Sequence, residues 1–562
     1  MQRQFVIASR TAAFLLTSIG LTCFAVGLYY LPGYRAHAGI ITSGFVIGAG
    51  LAAAVLSFPG LLESLLAEDW EFYVAVGLLS LALPALIFWC GMQQFGGFDQ
   101  SLLIDPGWRL LTGQRPYTDF PCSVPISFYL GSYYAFAFFG LYFKSLIFAF
   151  CGFSVVTFLW SLALLARLIE IRTHRIILAL ALQALCLIPV SYWWYNPLTM
   201  MAAILFALSA AVCLSDPNAI GPWLSYFVSL LLLATMKPNV AAAIIIPVTL
   251  NLVSSRPHRV KVCCLSALAL LSLAGWLWLH GISLLDCVQS YRAVAGRAFA
   301  VGHFFADVYG NISFGFEAKL SVLALLAVLL PLALCLLKKR EVLTQWRYVT
   351  IALACVLAGL NSFVSAGDLK ALDIGLVLFG VALACLRVES FRAAKPLTSC
   401  VVLMSLVASC VGIGIGVSRH RILGIGPNMF FQYHYEGDRF ASGFFQGLRS
   451  GKRLKQTYAE VDAIVSESKG KRMFFGPRME WAYAAFRLPS PRGFPPIWDP
   501  GTIFPRADEA KAIAAFFEIR NDVLVFLKND MTYYPPELIE GIKAAYAEDQ
   551  SASELTVYRL KV

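Results

Sequence analysis

The sequence predicts a mostly α-helical, polytopic membrane protein of about thirteen transmembrane helices, with long outer loops and a small C-terminal α/β domain. Three observations carry this expectation. Of 562 residues, 59% are hydrophobic and 14% charged, against about 45–50% and ~25% in soluble globular chains; mean hydropathy is +0.71. The apolar residues come in long blocks, near the ~20 residues that cross a hydrocarbon core. The polar residues that remain gather in a few loops and in the segment after residue 418. This composition excludes a soluble enzyme, a disordered chain and a secreted disulfide scaffold. The net charge of +11 points first to loops held in the cytoplasm, and nucleic acid is not an expected partner.

The apolar blocks place helices at 11–31, 39–59, 72–92, 145–166, 176–192, 197–214, 222–236, 240–254, 262–282, 319–337, 348–365, 371–387 and 397–418. The run 125–143 is also apolar. It reads as a re-entrant or surface helix, because counting it as a span would reverse every later loop. With the N-terminus in the cytoplasm, inside loops carry fifteen Lys or Arg and the longer outside loops before residue 419 carry nine. That bias orients a membrane protein and puts the C-terminal domain outside. Loop 60–71 is acidic, and acidic residues count little in the rule. The first block has Arg3 and Arg10 before it and Ala36-His37-Ala38 after it. It resembles a signal peptide but is longer than the usual apolar core, so a retained anchor is expected.

The chain thus divides into a membrane domain, 1–418, and an extracytoplasmic domain, 419–562. The second has twenty Lys/Arg against seventeen Asp/Glu and no Cys, so disulfides contribute nothing to its stability. Helices at 456–468, 507–519 and 536–547 alternate with strands at 471–475, 523–527 and 555–560, the mark of a small α/β sheet. Arg478, Glu480, Trp498 and Asp499 are either acceptor contacts or part of a loop packed on the membrane domain. Cys122 and Cys287 stand on outside loops and read as free thiols. No CxxC or His/Cys cluster signals zinc.

Two outer loops, 93–144 and 283–318, are longer than connectors need to be. Carboxylates and cations of the membrane part both favour this face, among them Asp99, Asp105, Asp119, Arg109, Arg115 and Lys237. Ionisable groups at membrane depth are expensive and mark function. A transporter would hold them near the midplane; their place at one face favours chemistry at the surface.

The first of these loops reads Gly97-Phe98-Asp99-Gln100, then Trp108-Arg109-Leu110-Leu111-Thr112-Gly113, then Pro116-Tyr117-Thr118-Asp119-Phe120. An acidic residue just past a span, an amphipathic helix ending W-R-L-L-x-G, a P-Y-x-D-F turn and a Pro-led apolar helix resemble the first outer loop of the GT-C superfamily. Those are polytopic glycosyltransferases, such as lipid A aminoarabinose transferases and protein mannosyltransferases. The resemblance covers about 45 residues closely. It departs at Gln100, where the family usually has Glu, and this puts a second carboxylate in doubt.

The resemblance implies an inverting transferase of the bacterial inner membrane. Its donor would be a polyprenyl-phosphate-linked sugar, and its acceptor a glycan, lipid or protein on the outer face. Such chemistry needs a carboxylate for the acceptor proton and cations for the leaving phosphate. Asp99 is the expected general base; its alternative is a helix cap. Lys237, Arg292, Arg297 and Arg115 are the candidates for donor phosphate, and Lys237-Pro238 resembles a Lys-Pro break of some superfamily members. Lys237 read blandly is a snorkelling side chain beside a helix-ending Pro. Gln100, Asp119, Tyr117 and Trp108 are candidate substrate contacts, Asp119 equally a loop brace. Asp105 before Pro106 reads as an N-cap followed by Pro at the first helical position. Tyr192-Trp193-Trp194-Tyr195 reads as an interfacial aromatic belt, with sugar stacking as the alternative. No D-x-D run appears in the outer loops, so a divalent metal is only weakly signalled and no cofactor is expected to be required. A lipid-linked substrate transporter and a non-catalytic assembly partner remain the rival readings.

Overall fold

The structure is a computed structural model that describes residues 42–52, 66, 68–93, 95, 97–122, 125–288, 346–366, 375–376, 379–380, 382–383, 395–421, 438–500, 503–528, 534–549 and 553–561. The expected spans 11–31 and 319–337, most of 371–387, and Arg292 and Arg297 lie outside these residues. Before residue 438 the described helices are α1 (Thr42–Ala52), α2 (Asp69–Gly91), α3 (Phe98–Leu111), α4 (Ile126–Phe139), α5 (Phe143–Leu165), α6 (Arg172–Cys186), α7 (Tyr195–Ser215), α8 (Ile220–Ala234), α9 (Pro238–Val253), α10 (Arg256–Leu279), α11 (Trp346–Ala366) and α12 (Lys395–Arg421). Every apolar run that falls wholly within the described residues holds a helix, although the helix in the run 176–192 ends at Cys186 and 187–192 are turn and loop. Among the described residues four helices, α2, α5, α7 and α10, are long and apolar enough to cross a membrane by themselves. The run 125–143 holds α4, whose 14 residues fall short of the roughly 20 a span needs.

The chain divides into two compact units: Met1–Cys90, Phe150–Leu273 and Val301–Arg419 form the first, and Gly91–Ala149, Ala274–Ala300 and His420–Val562 the second. In the first unit α7 is apolar all round and buried from Asn196 to Cys213, with α6, α8, α9 and α11 packed about it. Helices α2 and α10 do the opposite, leaving Leu81 72% and Leu271 70% exposed. A helix that is apolar on its outward face needs lipid, not water, as its solvent.

Small residues and buried amides hold the first unit together, as lipid-solvated helices require. Gly44 and Gly48 of α1 meet the backbone of α12 so closely that a Cβ would stand 2.6 Å from Cys410 O and 2.7 Å from Val407 Cα. Between α5 and α6, Ser154 Oγ donates to Gln183 Oε1 (3.0 Å) and Gln183 Nε2 donates to Thr157 Oγ1 (3.1 Å). Asn239 Nδ2 of α9 donates to Asn361 Oδ1 of α11 at 2.9 Å.

The second unit joins α3 and α4 to α13 (Lys452–Glu467), β1 (Met473–Phe475), α14 (Trp481–Ala485), α15 (Glu509–Ile519), β2 (Val523–Leu527), α16 (Pro536–Ala545), β3 (Tyr546–Asp549) and β4 (Leu555–Leu560). The strands form one mixed sheet in the order β1-β2-β4-β3. Strand β1 runs parallel to β2, with Phe474 opposite Leu524, and β4 is antiparallel to both β2 and β3. The expected helix 536–547 ends at Ala545, and the chain turns directly into edge strand β3. Phe95, Phe445, Tyr458 and Trp481 build an aromatic core, the last two stacked at 6.1 Å.

Candidate active site

Helix α3 is the platform of the first outer loop. Gly97, at φ 94°, turns the chain into it, and Asp99 lies in its first turn. A carboxylate there faces the positive end of the helix dipole. Asp99 is half-buried, while Gln100 is buried at 3% exposure. Helix α3 lies tight on α4: a Cβ on Gly107 would stand 2.8 Å from Ser132 Cβ.

Asp105 is not the helix cap that the following Pro suggested. It sits inside α3, with Pro106 inside the helix too, and is fully buried. Its Oδ2 accepts from Arg109 Nε at 2.7 Å and its Oδ1 from Ser490 Oγ at 2.6 Å. Burial pushes the Asp105 carboxyl above its ordinary range, and Arg109 and Ser490 pull it back. The i,i+4 spacing of Asp105 and Arg109 was the available signal for this pair.

The motif residues after Asp105 reach the Pro-rich segment 488–494. Trp108 Nε1 donates to Leu488 O (2.7 Å), Arg109 Nη1 to Pro491 O (2.7 Å), and Gln114 Nε2 to Ser490 O (2.8 Å). Gly493 N donates to Asp119 O at 2.6 Å. The Asp119 carboxylate closes its own turn by accepting from Arg115 N at 2.8 Å. One carboxylate oxygen of Asp119 is thus engaged within its own turn, and the hydrogen-bonding edge of Trp108 within the unit. Tyr117 takes a left-handed conformation, φ 64°, rare for a bulky residue and usual where surroundings over-determine the backbone. Cys122 and Cys287 are buried and form no disulfide, and burial pushes both thiols up.

Arg115 is exposed, and among the described residues its guanidinium has no hydrogen-bond or ion-pair partner. Arg478, Glu480 and Trp498 are buried; Glu480 and Trp498 line a small pocket with Arg109, Tyr483 and Phe494. Among the described residues no three His, Cys, Asp or Glu side chains gather as a metal site.

Lys237 belongs to the first unit. It precedes Pro238 at the start of α9, is half-buried, and its Nζ stands 5.9 Å from the centre of the Tyr195 ring. The aromatic run at the start of α7 is not a lipid-facing belt throughout: Tyr192 and Trp194 are 9% and 7% exposed, Tyr192 packs on Trp194, and Trp194 on Tyr195.

No family model and no curated protein matches this sequence. Among solved structures, the chain is similar to the crystal structure of ArnT from Cupriavidus metallidurans bound to undecaprenyl phosphate. The two are 12% identical over 86% of this chain and 97% of that one, with a TM-score of 0.42.

Proposed function

We propose that this protein is an integral membrane glycosyltransferase that moves a sugar from a polyprenyl-phosphate donor to an acceptor hydroxyl at the outer face of the inner membrane. In this reading it has about thirteen spans, an N-terminus in the cytoplasm and residues 419–562 outside. The observation that carries the reading is the placement of Asp99: a half-buried carboxylate in the first turn of a helix whose far end is clamped by four hydrogen bonds of the 105–119 motif.

The acceptor oxygen attacks the anomeric carbon while Asp99 takes its proton. The bond from that carbon to the phosphate oxygen breaks with inversion, and the phosphate leaves with the electron pair. Arg115 is assigned to stabilise the charge that develops there, and Lys237, Arg292 and Arg297 are the other sequence candidates for the donor phosphate. Tyr117 and Gln100 are assigned to the substrate side of this loop. No metal is assigned a part.

The test is transfer by purified protein from a polyprenyl-phosphate sugar donor. Asp99→Asn is expected to lower the rate by about 10²–10⁴, the range a positioned general base contributes, with donor binding retained. Equal transfer by wild type and variant would remove Asp99 from the mechanism. Movement of labelled lipid with no covalent product would mark a transporter instead.

A further inference from the structure

The end of α10 opposite the second outer loop carries a cluster that the transferase chemistry does not use. Arg256, Arg259 and Lys261 occupy its first two turns and are exposed. Arg347, at the start of α11, is half-buried and reaches across to them. Its Nη1 donates to Ser255 Oγ at 2.9 Å, and its own carbonyl accepts from Asn251 Nδ2 at 2.8 Å. Trp223 of α8 forms the other wall. Lys261 Nζ stands 5.7 Å from its ring centre, and Lys261 Nζ and Trp223 Nε1 both donate to Pro217 O, at 2.7 Å and 2.9 Å. One turn on from Ser255 is His258, 3% exposed, its ring 5.7 Å from that of Trp223. Its Nδ1 is buried and has no hydrogen-bond partner among the described residues. All of these residues belong to the first unit.

We propose that Arg347 and Lys261 bind the phosphate ester of an anionic phospholipid, with Trp223 and His258 as the back of the site. Among the described residues none of the four cations forms an ion pair, and Arg347 has guanidinium donors to spare beyond the one on Ser255. Cations at the start of a helix stand against the positive end of its dipole, and like charges a turn apart repel. A buried nitrogen without a partner adds a desolvation cost. One bound anion relieves all three, and a guanidinium fork beside an ammonium suits a phosphate. The surroundings suit a lipid. Val260 of α10 is 71% exposed, and Trp346 and Leu353 of α11 are 44% and 45% exposed, an apolar flank on which acyl chains would lie. Basic pockets between spans at the inner face take such head groups, and the orientation drawn from the loop charges puts this end of α10 there. A cluster that served only to orient the chain would need charge alone; it gives no reason for the Arg347–Ser255 bond or for the seat of Lys261 on Trp223. The proposal goes beyond the transferase reading and needs only that the chain is embedded in a membrane.

The test uses the full-length protein in nanodiscs of phosphatidylcholine. Phosphatidylglycerol with the same acyl chains is titrated in, and the retained lipid is counted by native mass spectrometry. Wild type is expected to hold one phosphatidylglycerol in preference to phosphatidylcholine. Arg347→Gln is expected to weaken that binding about tenfold or more, the scale of a hydrogen bond to a charged group. Lys261→Gln, at an exposed position, is expected to weaken it about fivefold, the scale of one Lys at an anionic surface. If Arg347→Gln fails to fold, Lys261→Gln decides alone. Lys338→Gln with Lys339→Gln removes two charges from another inside loop and should bind as wild type does. Soluble sn-glycerol 3-phosphate is expected to leave the lipid in place. Unchanged binding by Lys261→Gln and Arg347→Gln would overturn the proposal. So would an equal loss in the Lys338 and Lys339 double variant, which marks attraction by bulk charge, or displacement by sn-glycerol 3-phosphate, which marks a site for a soluble phosphate ester. Sugar transfer plays no part in the readout, so failure here leaves the transferase reading standing, and a protein that transfers nothing can still hold the lipid.

Discussion

Asp105 and Arg109 are the least exposed ion pair among the described residues, at 0% and 1%. Taking two charges out of water costs more than their attraction returns unless every remaining donor and acceptor is met. Here Ser490 donates to the second carboxylate oxygen, and the Arg109 Nη1 donates to carbonyls of the 491–494 segment. Such a pair contributes little net stability while intact, and its loss is severe because one charge stays buried. Asp105→Ala is therefore expected to destabilise the protein by about 3–5 kcal/mol, and Ser490→Ala by about 1.5–3 kcal/mol, the scale of a hydrogen bond to a charged group. Thermal and chemical denaturation in detergent should rank wild type above Ser490→Ala above Asp105→Ala. An Asp105→Ala variant as stable as wild type would show that the pair is solvated in the working protein.

At the scale of elements, helix positions in the membrane part were legible because apolar length alone specifies them. Helix interiors were less so. Pro106 reads as a helix start, since Pro is tolerated where the first N–H has no partner anyway, yet α3 begins eight residues earlier, at Phe98. The contact of α3 with α4 tolerates no side chain at Gly107, and that close approach fixes how Asp99 is presented. Strand β3 escaped for another reason. Residues 544–546 read Ala-Ala-Tyr, a sequence good for a helix, and an edge strand with Ala547 and Glu548 exposed has no buried alternation to betray it. Gly107→Leu would press its Cβ to 2.8 Å from Ser132 and 3.0 Å from Phe136. The cost of such overpacking is about 1–3 kcal/mol, and a displaced α3 is expected to lower sugar transfer by about 10²-fold, as a misplacement of ~1 Å can. Gly77→Ala, where no atom lies within 4 Å, should transfer as wild type does. Full transfer by Gly107→Leu would mean that α3 does not set the position of Asp99.

For the whole molecule, the compositional break at residue 419 was legible, because charge returns to the chain there. That residues 91–149 fold with the segment beyond it was not. The partners of Trp108, Arg109 and Gln114 in segment 488–494 are the carbonyls of Leu488, Ser490, Pro491 and Phe494, and a backbone carbonyl leaves no signature in a sequence. Only the Ser490 hydroxyl on Asp105 adds a side chain. A break in composition thus marks where the solvent changes, while the second unit is assembled from three stretches separated along the chain. This makes a definite demand on a severed protein. A fragment of residues 1–418 carries the first outer loop without the segment that satisfies it. It leaves Arg109 and Asp105 short of acceptors and donors, each such buried loss costing about 1–3 kcal/mol or more. Expressed alone, it is expected to be protease-sensitive within 93–144 and inactive in transfer. Expressed together with 419–562 as a separate chain, it is expected to copurify with it and regain protection, because the bonds involved need proximity and not covalent continuity. Limited proteolysis followed by mass spectrometry of the 93–144 peptides reads both outcomes. A 1–418 fragment protected and active by itself would show that the loop holds its shape without the clamp, and the position of Asp99 would then need another explanation.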